Sequence, residues 1–539
     1  MVLLIGPRVE GRYPDLVRGT SSDIGKAALV VSAGIFLSRI LGFVRSTVIT
    51  ALLGYGVENS LYVNAFSIPD FLTFLMAGGY LSITLVPLLS RHLVKDDEEE
   101  AMRTFTAVLR LVGLAFAVFA VLTIIGAGPI VRGFFPRSTD QARLISLTRI
   151  ALASQVFFGI GTLLMAAQYA RRSFTIPSLA PLIYNLAIIA GGLLGWLVAE
   201  PSPEWFLWGG LAGAAVGNFG VQWWGARQHG FRLVRGVPWF HPAVREYLVL
   251  AFPLMIGISA VALDEQWPRL FGQFAQSEGT SALLTNARQL NMLPIGMIAQ
   301  AAGVAAYPFL AGLAAEGRIA ELGATLSRSV RTSVAVGAMA AGVLVGVTVP
   351  VADLAYGHGK VGAADVATLG LFLFWYALSI PFWAAHQVYT RGFYAMRQMW
   401  TPVLIGSTVT AVVVPVLWVL SHRYGGGGVA VGSTFGVVLY TVAIAGAWHH
   451  LVAPHELWAV AESAARAVAV AAVAGLTTYG AARLMDNAGL PSLVRVLVAA
   501  PVGVTVFVGL AQVIEVDEIN ELLSRLTSRL AARIPSRQP

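Results

Sequence analysis

The chain has 539 residues, 57% of them hydrophobic and only 12% charged, with a formal net charge of +8. Soluble domains average about 25% charged residues. This composition and a mean hydropathy of +0.72 exclude that class and point to a polytopic α-helical membrane protein. The absence of cysteine excludes disulfides, thiolate metal sites and cysteine nucleophiles.

Residues 1–26 mix Arg8, Arg12 and Arg18 with Glu10, Asp15 and Asp23 and lack the apolar core and cleavage site of a signal peptide, so a short cytoplasmic tail is expected. A span takes about 20 mostly apolar residues. About 14 are predicted, near 27–54, 60–90, 104–130, 144–170, 176–199, 204–226, 246–274, 281–312, 328–352, 366–390, 401–420, 426–448, 462–482 and 491–514. Six lie in 27–226, a cytoplasmic linker follows at 227–245, six more lie in 246–448, and a last pair falls in 449–514. In the tail, 515–539, Ile519, Leu522, Leu523, Leu526, Leu530 and Ile534 oppose Arg525, Arg529 and Arg533 at helical spacing. That pattern predicts an amphipathic helix on the membrane surface.

Loop charges set the orientation. With both termini inside, the cytoplasmic segments hold 23 Lys or Arg and the outside loops only 6 (Arg132, Arg137, Arg143, Lys360, Arg423 and Arg483). The positive-inside bias therefore places both ends in the cytoplasm. The basic balance is read as loops facing an anionic leaflet, and no nucleic-acid partner is expected. The acidic run Asp96 to Glu100 is read as a solvated cytoplasmic loop.

The chain repeats itself weakly. Tyr169-Ala170-x-Arg172 before Pro177 returns as Tyr394-Ala395-x-Arg397 before Pro402, and Pro87-x-Leu89 returns as Pro308-x-Leu310. The copies are six spans apart. Two six-helix lobes related by an axis along the membrane normal are expected, with a central cavity between them and two extra C-terminal helices outside the repeat. Gly209, Gly213 and Gly217 form a close-packing ladder on span 6. Pro69, Pro253, Pro268, Pro294 and Pro381 fall inside spans, where they free carbonyls and permit bending.

Charges inside spans are costly and should face a wet cavity or a partner. Span 1 carries Arg39 and Arg45 around Gly42. Six residues give about 9 Å of rise, so both guanidiniums can reach one cavity at two depths, an arrangement suited to a diphosphate. The competing reading is snorkelling to an interface. Span 7 carries Asp264, Glu265, Pro268 and Arg269, and Glu265 and Arg269 at i,i+4 could form a fixed ion pair, although Pro268 disturbs that turn. Span 8 begins with Asn286, Arg288, Gln289 and Asn291 and carries Gln300 deeper. These groups, turned toward span 1, would make a cationic cavity with a local acid. His386 on span 10 could relay protons or be a hydrogen-bonded core residue. No GxxxxGK[ST] loop or HExxH is present, and His449, His450 and His455 make no convincing metal set. No cofactor, metal or catalytic residue is expected.

Ser38-Arg39-Ile40-Leu41-Gly42-Phe43-Val44-Arg45 resembles the span 1 motif of the MurJ (MviN) lipid II flippases. Phe174-x-Ile176-Pro177-x-x-Ala180-Pro181-x-x-x-Asn185, Leu293-Pro294-x-Gly296, and Gly392-Phe393-Tyr394 to Thr401-Pro402 are similar to that family's later junctions. The resemblance covers about residues 25–515. It implies the multidrug/oligosaccharidyl-lipid/polysaccharide exporter fold, with spans 13 and 14 forming a lipid-tail groove. It also implies flipping of undecaprenyl-diphosphate-linked peptidoglycan precursor (lipid II) across the bacterial cytoplasmic membrane by alternating access. A transporter and no enzyme is expected, with the lipid-linked oligosaccharide, membrane lipids and cell-wall synthesis proteins as partners.

The family pattern assigns the headgroup to Arg39, Arg45 and Arg288, although Gln289 stands at the aligned place of the span 8 arginine. The acid that usually follows the second span 1 arginine is Ser46, the early span 2 acid aligns with Ser60, and a later arginine with Thr73. Some members bind sodium through a span 7 acid and span 11 polar ligands. Arg269 stands at the first position and Val413 and Leu417 at the others, so the Arg269 guanidinium is expected to replace the cation. Two alternatives are carried: another polyprenyl-diphosphate glycan as cargo, or a transport-inactive scaffold of a cell-wall synthesis complex. Drug efflux fits poorly, because the span 1 arginines repel cationic drugs.

Overall fold

A computed structural model of the protein describes residues 21–77, 80–239, 241–251, 263–275 and 277–531, and among these no strand occurs. Expectations on residues 1–20, 252–262 (Pro253 among them) and 532–539 lie outside the described residues, as do the side chains of Asp264 and Gln300.

The first lobe opens with α1 (Ser21–Leu53). The expected span 2 is three pieces, α2 (Val57–Ala65), α3 (Ser67–Ala77) and α4 (Tyr80–Val94). Then come α5 (Glu98–Ile125), a short α6 (Ala127–Phe134), α7 (Gln141–Ala170) and α8 (Thr175–Val198). Span 6 is α9 (Pro203–Gly213), a wider π-helical stretch Ala214–Val221 and α10 (Gln222–Gln228). In the second half, α11 (Trp267–Gly272) precedes α12 (Thr280–Ala315), α13 (Ile319–Gly346) and α14 (Thr348–Tyr356). The pair α15 (Ala363–Ala377) and α16 (Ile380–Ala395) bends by 42° just before Pro381. The continuous stretch α17 (Trp400–Leu451) covers expected spans 11 and 12 and folds back at Gly425, whose φ of 57° suits a residue without Cβ. The helices α18 (Leu457–Asn487), α19 (Ser492–Val513) and α20 (Asp517–Ala531) complete the chain.

Among the described residues eight helices are long and apolar enough to cross a membrane, or nine with the bent pair taken as one span. α17 counts once there although it holds two expected spans, spans 2 and 6 are divided, span 7 lies largely outside the described residues, and α12 at span 8 is not among the eight, so this measure falls short of fourteen.

The glycine ladder joins α8 to the span 6 segment. A Cβ at Gly213 would stand 2.7 Å from Ala187 Cβ and 3.0 Å from Tyr184 Cα, and one at Gly217 would stand 3.0 Å from Ile183 Cβ. These neighbours are backbone or backbone-proximal atoms and cannot swing aside. Gly213→Leu is therefore expected to destabilise the first lobe by about 1–3 kcal/mol, the range for overpacking a close interface. Thermal unfolding of the purified variant in detergent measures it.

One local expectation changes, and the start of the tail helix is placed. The acidic run is a helix start: Asp97 accepts from Glu100 N at the N-terminus of α5, Glu98 pairs with Arg171 at 2.8 Å, and Glu100 lies 3.3 Å from His241. Carboxylates favour a helix N-terminus, and here they also tie the 227–245 linker to the lobe. The tail helix α20 docks on protein. Val516 and Ile519 are buried against Ala335, Ala467 and Phe507, and the buried Glu518 is 3.4 Å from Arg331. The first turns of its apolar stripe, Ile519, Leu522 and Leu523, pack on the flanks of α13, α18 and α19, and the side chains of Leu526 and Leu530 and all of Ile534 lie outside the described residues.

Candidate functional site

The two halves meet around a cavity of ≈ 310 Å³ walled by α1, α2, α3, α7 and α8 on one side and α11 and α12 on the other. Arg45, Gln155, Tyr62 and Tyr184 line the first wall, and Arg269, Asn286 and Gln289 the second. Tyr184 is held edge-on by Phe158, with ring centroids 5.0 Å apart. α1 lies against α8: Gly42 faces Asn185, whose amide donates to Pro181 O at 2.8 Å, and a Cβ at Gly34 would stand 2.7 Å from Ser178 Cβ.

The cavity floor is a hydrogen-bonded bridge between halves. Asn286 on α12 donates to Thr50 Oγ1 and Tyr55 Oη, each at 2.9 Å. Asn59 donates to Gly54 O at 2.9 Å. Beyond this bridge the halves are zipped at the end where α1 finishes: Ser60 Oγ donates to Glu278 O at 2.6 Å, Gln273 Nε2 to Phe134 O at 2.7 Å, and Lys360 N to Ala51 O at 2.9 Å. In the first lobe, Arg143 supports this end by gripping both Glu58 and Glu204.

Arg45 lines the cavity, and its buried Nε has no hydrogen-bond partner among the described residues. A buried donor without a partner costs about 1–3 kcal/mol, and a guanidinium in that condition is prepared for an anion. Arg39, two turns earlier, is exposed, and its Nη1 would lie 2.9 Å from a Cβ at Gly296 on α12. The two span 1 arginines thus stand at different depths against the second half, and only Arg45 lines the cavity.

Arg269 also lines the cavity, but its geometry departs from the sequence reading. The turn at Leu263–Gln266 is 3₁₀ and α11 starts afresh at Trp267 with Pro268 in its first turn, so Glu265 and Arg269 do not share an α-helical register. Glu265 is exposed. The Arg269 Nη1 reaches Asp70 Oδ2 on α3 at 2.6 Å and Gln266 Oε1 at 3.3 Å. This ion pair joins the two halves across the cavity. Asp70 escaped the sequence reading, although a carboxylate inside a predicted span is itself a signal.

Arg288 is half-buried and lies outside the cavity lining; Gln289, one residue or about 100° around the helix, lines it. Gln289 Oε1 accepts from Ser46 Oγ at 2.9 Å. The two positions where the resemblance places an acid and an arginine are thus both neutral and bonded to each other, which leaves the local charge balance unchanged. The positions that the resemblance aligns with sodium ligands do not fit a cation: Val413 and Leu417 are buried hydrocarbon, and Arg269 is itself a cation. His386 belongs to the core of the second half, near Thr390 Oγ1 at 3.4 Å and packed against Trp383 and Tyr440. His449 is likewise fixed, between Tyr389 Oη at 2.9 Å and Ala453 O at 2.8 Å.

Two helical halves enclosing a cationic cavity among helices long and apolar enough to cross a membrane are the arrangement of a transporter. Residues 49–499 match the family model described as lipid II flippase MurJ. The chain belongs to the MurJ family. Among its relatives, the probable lipid II flippase MurJ of Rhizobium tropici is 26% identical over 73% of this chain and 76% of its own length. That of Synechocystis sp. is 24% identical over 95% of this chain and 99% of its own length. Among solved structures, a lipid II flippase MurJ in an inward closed conformation superposes with a TM-score of 0.73 at 19% identity, covering 91% of this chain and 100% of that one. An inward-facing multidrug-resistance transporter of the MATE family, MOP superfamily, gives 0.60 at 16% identity, over 81% of this chain and 99% of that one. These likenesses establish the fold.

Proposed function

We propose that this protein flips lipid II across the bacterial cytoplasmic membrane by alternating access of the cavity, with both termini cytoplasmic and fourteen spans in two six-helix lobes plus a C-terminal pair. The observation that supports the reading is Arg45 lining a cavity shared by both halves, its buried Nε without a hydrogen-bond partner among the described residues. A diphosphate offers the acceptors Arg45 lacks. Arg39, nearer the start of α1, meets the headgroup first, and Arg45 receives it deeper. An open cavity favours transport over a scaffold, and the neutral Ser46–Gln289 pair retains the charge balance expected of a lipid II flippase over one for another glycan. Spans 13 and 14 supply the groove for the polyprenyl tail, and cell-wall synthesis proteins are the partners.

Arg269 replaces the sodium ion of some relatives, because its charge is fixed and already paired with Asp70. Transport is therefore expected to proceed equally in sodium and in potassium media; a strict sodium requirement in vesicles overturns this assignment. The function is tested by expressing the chain in a bacterium depleted of its own lipid II flippase. Growth rescue is the expected result, and failure to rescue at normal membrane levels contradicts it.

A further inference from the structure

We propose that a groove on the outer flank of the first lobe, distinct from the transport cavity, holds one acyl chain of an anionic phospholipid whose phosphate rests on Arg149. The groove has a volume of ≈ 560 Å³ and lies between α5, α7 and the span 6 segment. Its walls are Val121, Ile124, Val156, Phe157, Trp208 and Leu211, and alanines at 153 and 212 leave the space open.

Arg149 stands at one end. It is exposed, and its Nε donates to the carbonyl of Ile124, a wall residue, at 3.2 Å. That bond fixes the guanidinium at the head of the groove and leaves both Nη groups outside it. Among the described residues no carboxylate is paired with Arg149. Ala153, Val156 and Phe157 follow at i+4, i+7 and i+8 on the same face of α7. The groove therefore runs about 12 Å along the helix from the charge. Arg149 is itself eight residues, or about 12 Å, from the start of α7, so the charge lies nearer the headgroup level than the groove does.

A positive group toward the interface and a hydrocarbon slot directed inward match the two parts of a phospholipid. Guanidinium binds phosphate through parallel hydrogen bonds, and an exposed arginine without a protein anion needs such a partner in a bilayer. The groove borders the π-helical stretch at Ala215, so a bound chain would brace span 6 against α5 and α7.

The full-length chain, purified from nanodiscs of phosphatidylcholine containing phosphatidylglycerol, is analysed by native mass spectrometry. Wild type is expected to retain one phosphatidylglycerol in preference to phosphatidylcholine. Arg149→Gln removes the charge, and Ala212→Phe fills the slot from an exposed position. Each is expected to lower retention about ten-fold, the scale of one charge-assisted hydrogen bond, with melting in phosphatidylcholine alone unchanged. Equal retention by wild type and either variant overturns the proposal. So does equal retention of the two lipids, or a second copy of the chain in place of the lipid.

Discussion

Arg45→Ala is expected to abolish rescue of a flippase-depleted bacterium while leaving the protein folded and inserted. The arginine's buried Nε makes no bond among the described residues, so its removal breaks no hydrogen bond of that group there. What is lost is the contact with an anionic headgroup, about 1.5–3 kcal/mol for a hydrogen bond to a charged group, or roughly 10- to 100-fold in binding. Arg45→Lys keeps the charge but not the planar fork and is expected to fall between the two. Growth curves beside immunoblots of membrane fractions decide the matter. Full rescue by Arg45→Ala would remove Arg45 from the site.

The second large effect concerns the Asp70–Arg269 pair, which ties α3 to α11 across the cavity. Asp70→Asn keeps the shape and removes the charge, leaving Arg269 without its carboxylate. The pair is partly exposed, with side-chain exposures of 35% for Asp70 and 17% for Arg269, so water screening reduces its worth to about 1–2 kcal/mol. That still shifts an equilibrium between two lobe arrangements roughly 5- to 30-fold. The chain has no native cysteine, so the shift can be read by crosslinking Thr139→Cys to Glu278→Cys, whose parent side chains touch at 3.2 Å across the closed end. Asp70→Asn is expected to lower the crosslinking yield, and Asp70→Arg with Arg269→Asp to restore it. An unchanged yield in Asp70→Asn would show that the pair does not hold the halves together.

Much of this architecture is legible in the sequence, for physical reasons that can be named. Hydrophobic runs mark helices because the bilayer leaves no other backbone partner, and the Gly209–Gly213–Gly217 ladder marks a close contact because only small residues permit it. Arg45 in span 1 announces a cavity because an uncompensated charge in hydrocarbon is too costly, whereas Arg39 is exposed and does not line it. Pairing across the cavity is harder to read. Arg269 takes Asp70 rather than the nearer Glu265 because Pro268 and the 3₁₀ turn break the helical register, and sequence distance cannot show which helix faces the gap. The Ser46–Gln289 bond is invisible for the same reason, since its partners are 243 residues apart. The packing of Val516 and Ile519 at the start of α20 is invisible in sequence because an amphipathic stripe looks the same whether it meets lipid or protein.

The central claim is that the chain moves lipid II through a cavity organised by Arg45. Its most direct test is reconstitution of the purified protein in liposomes carrying labelled lipid II, with the fraction reaching the opposite leaflet followed over time. Translocation by wild type, at least about ten-fold faster than by Arg45→Ala in matched liposomes, is the predicted result. Wild-type liposomes that move lipid II no faster than protein-free ones would contradict the account.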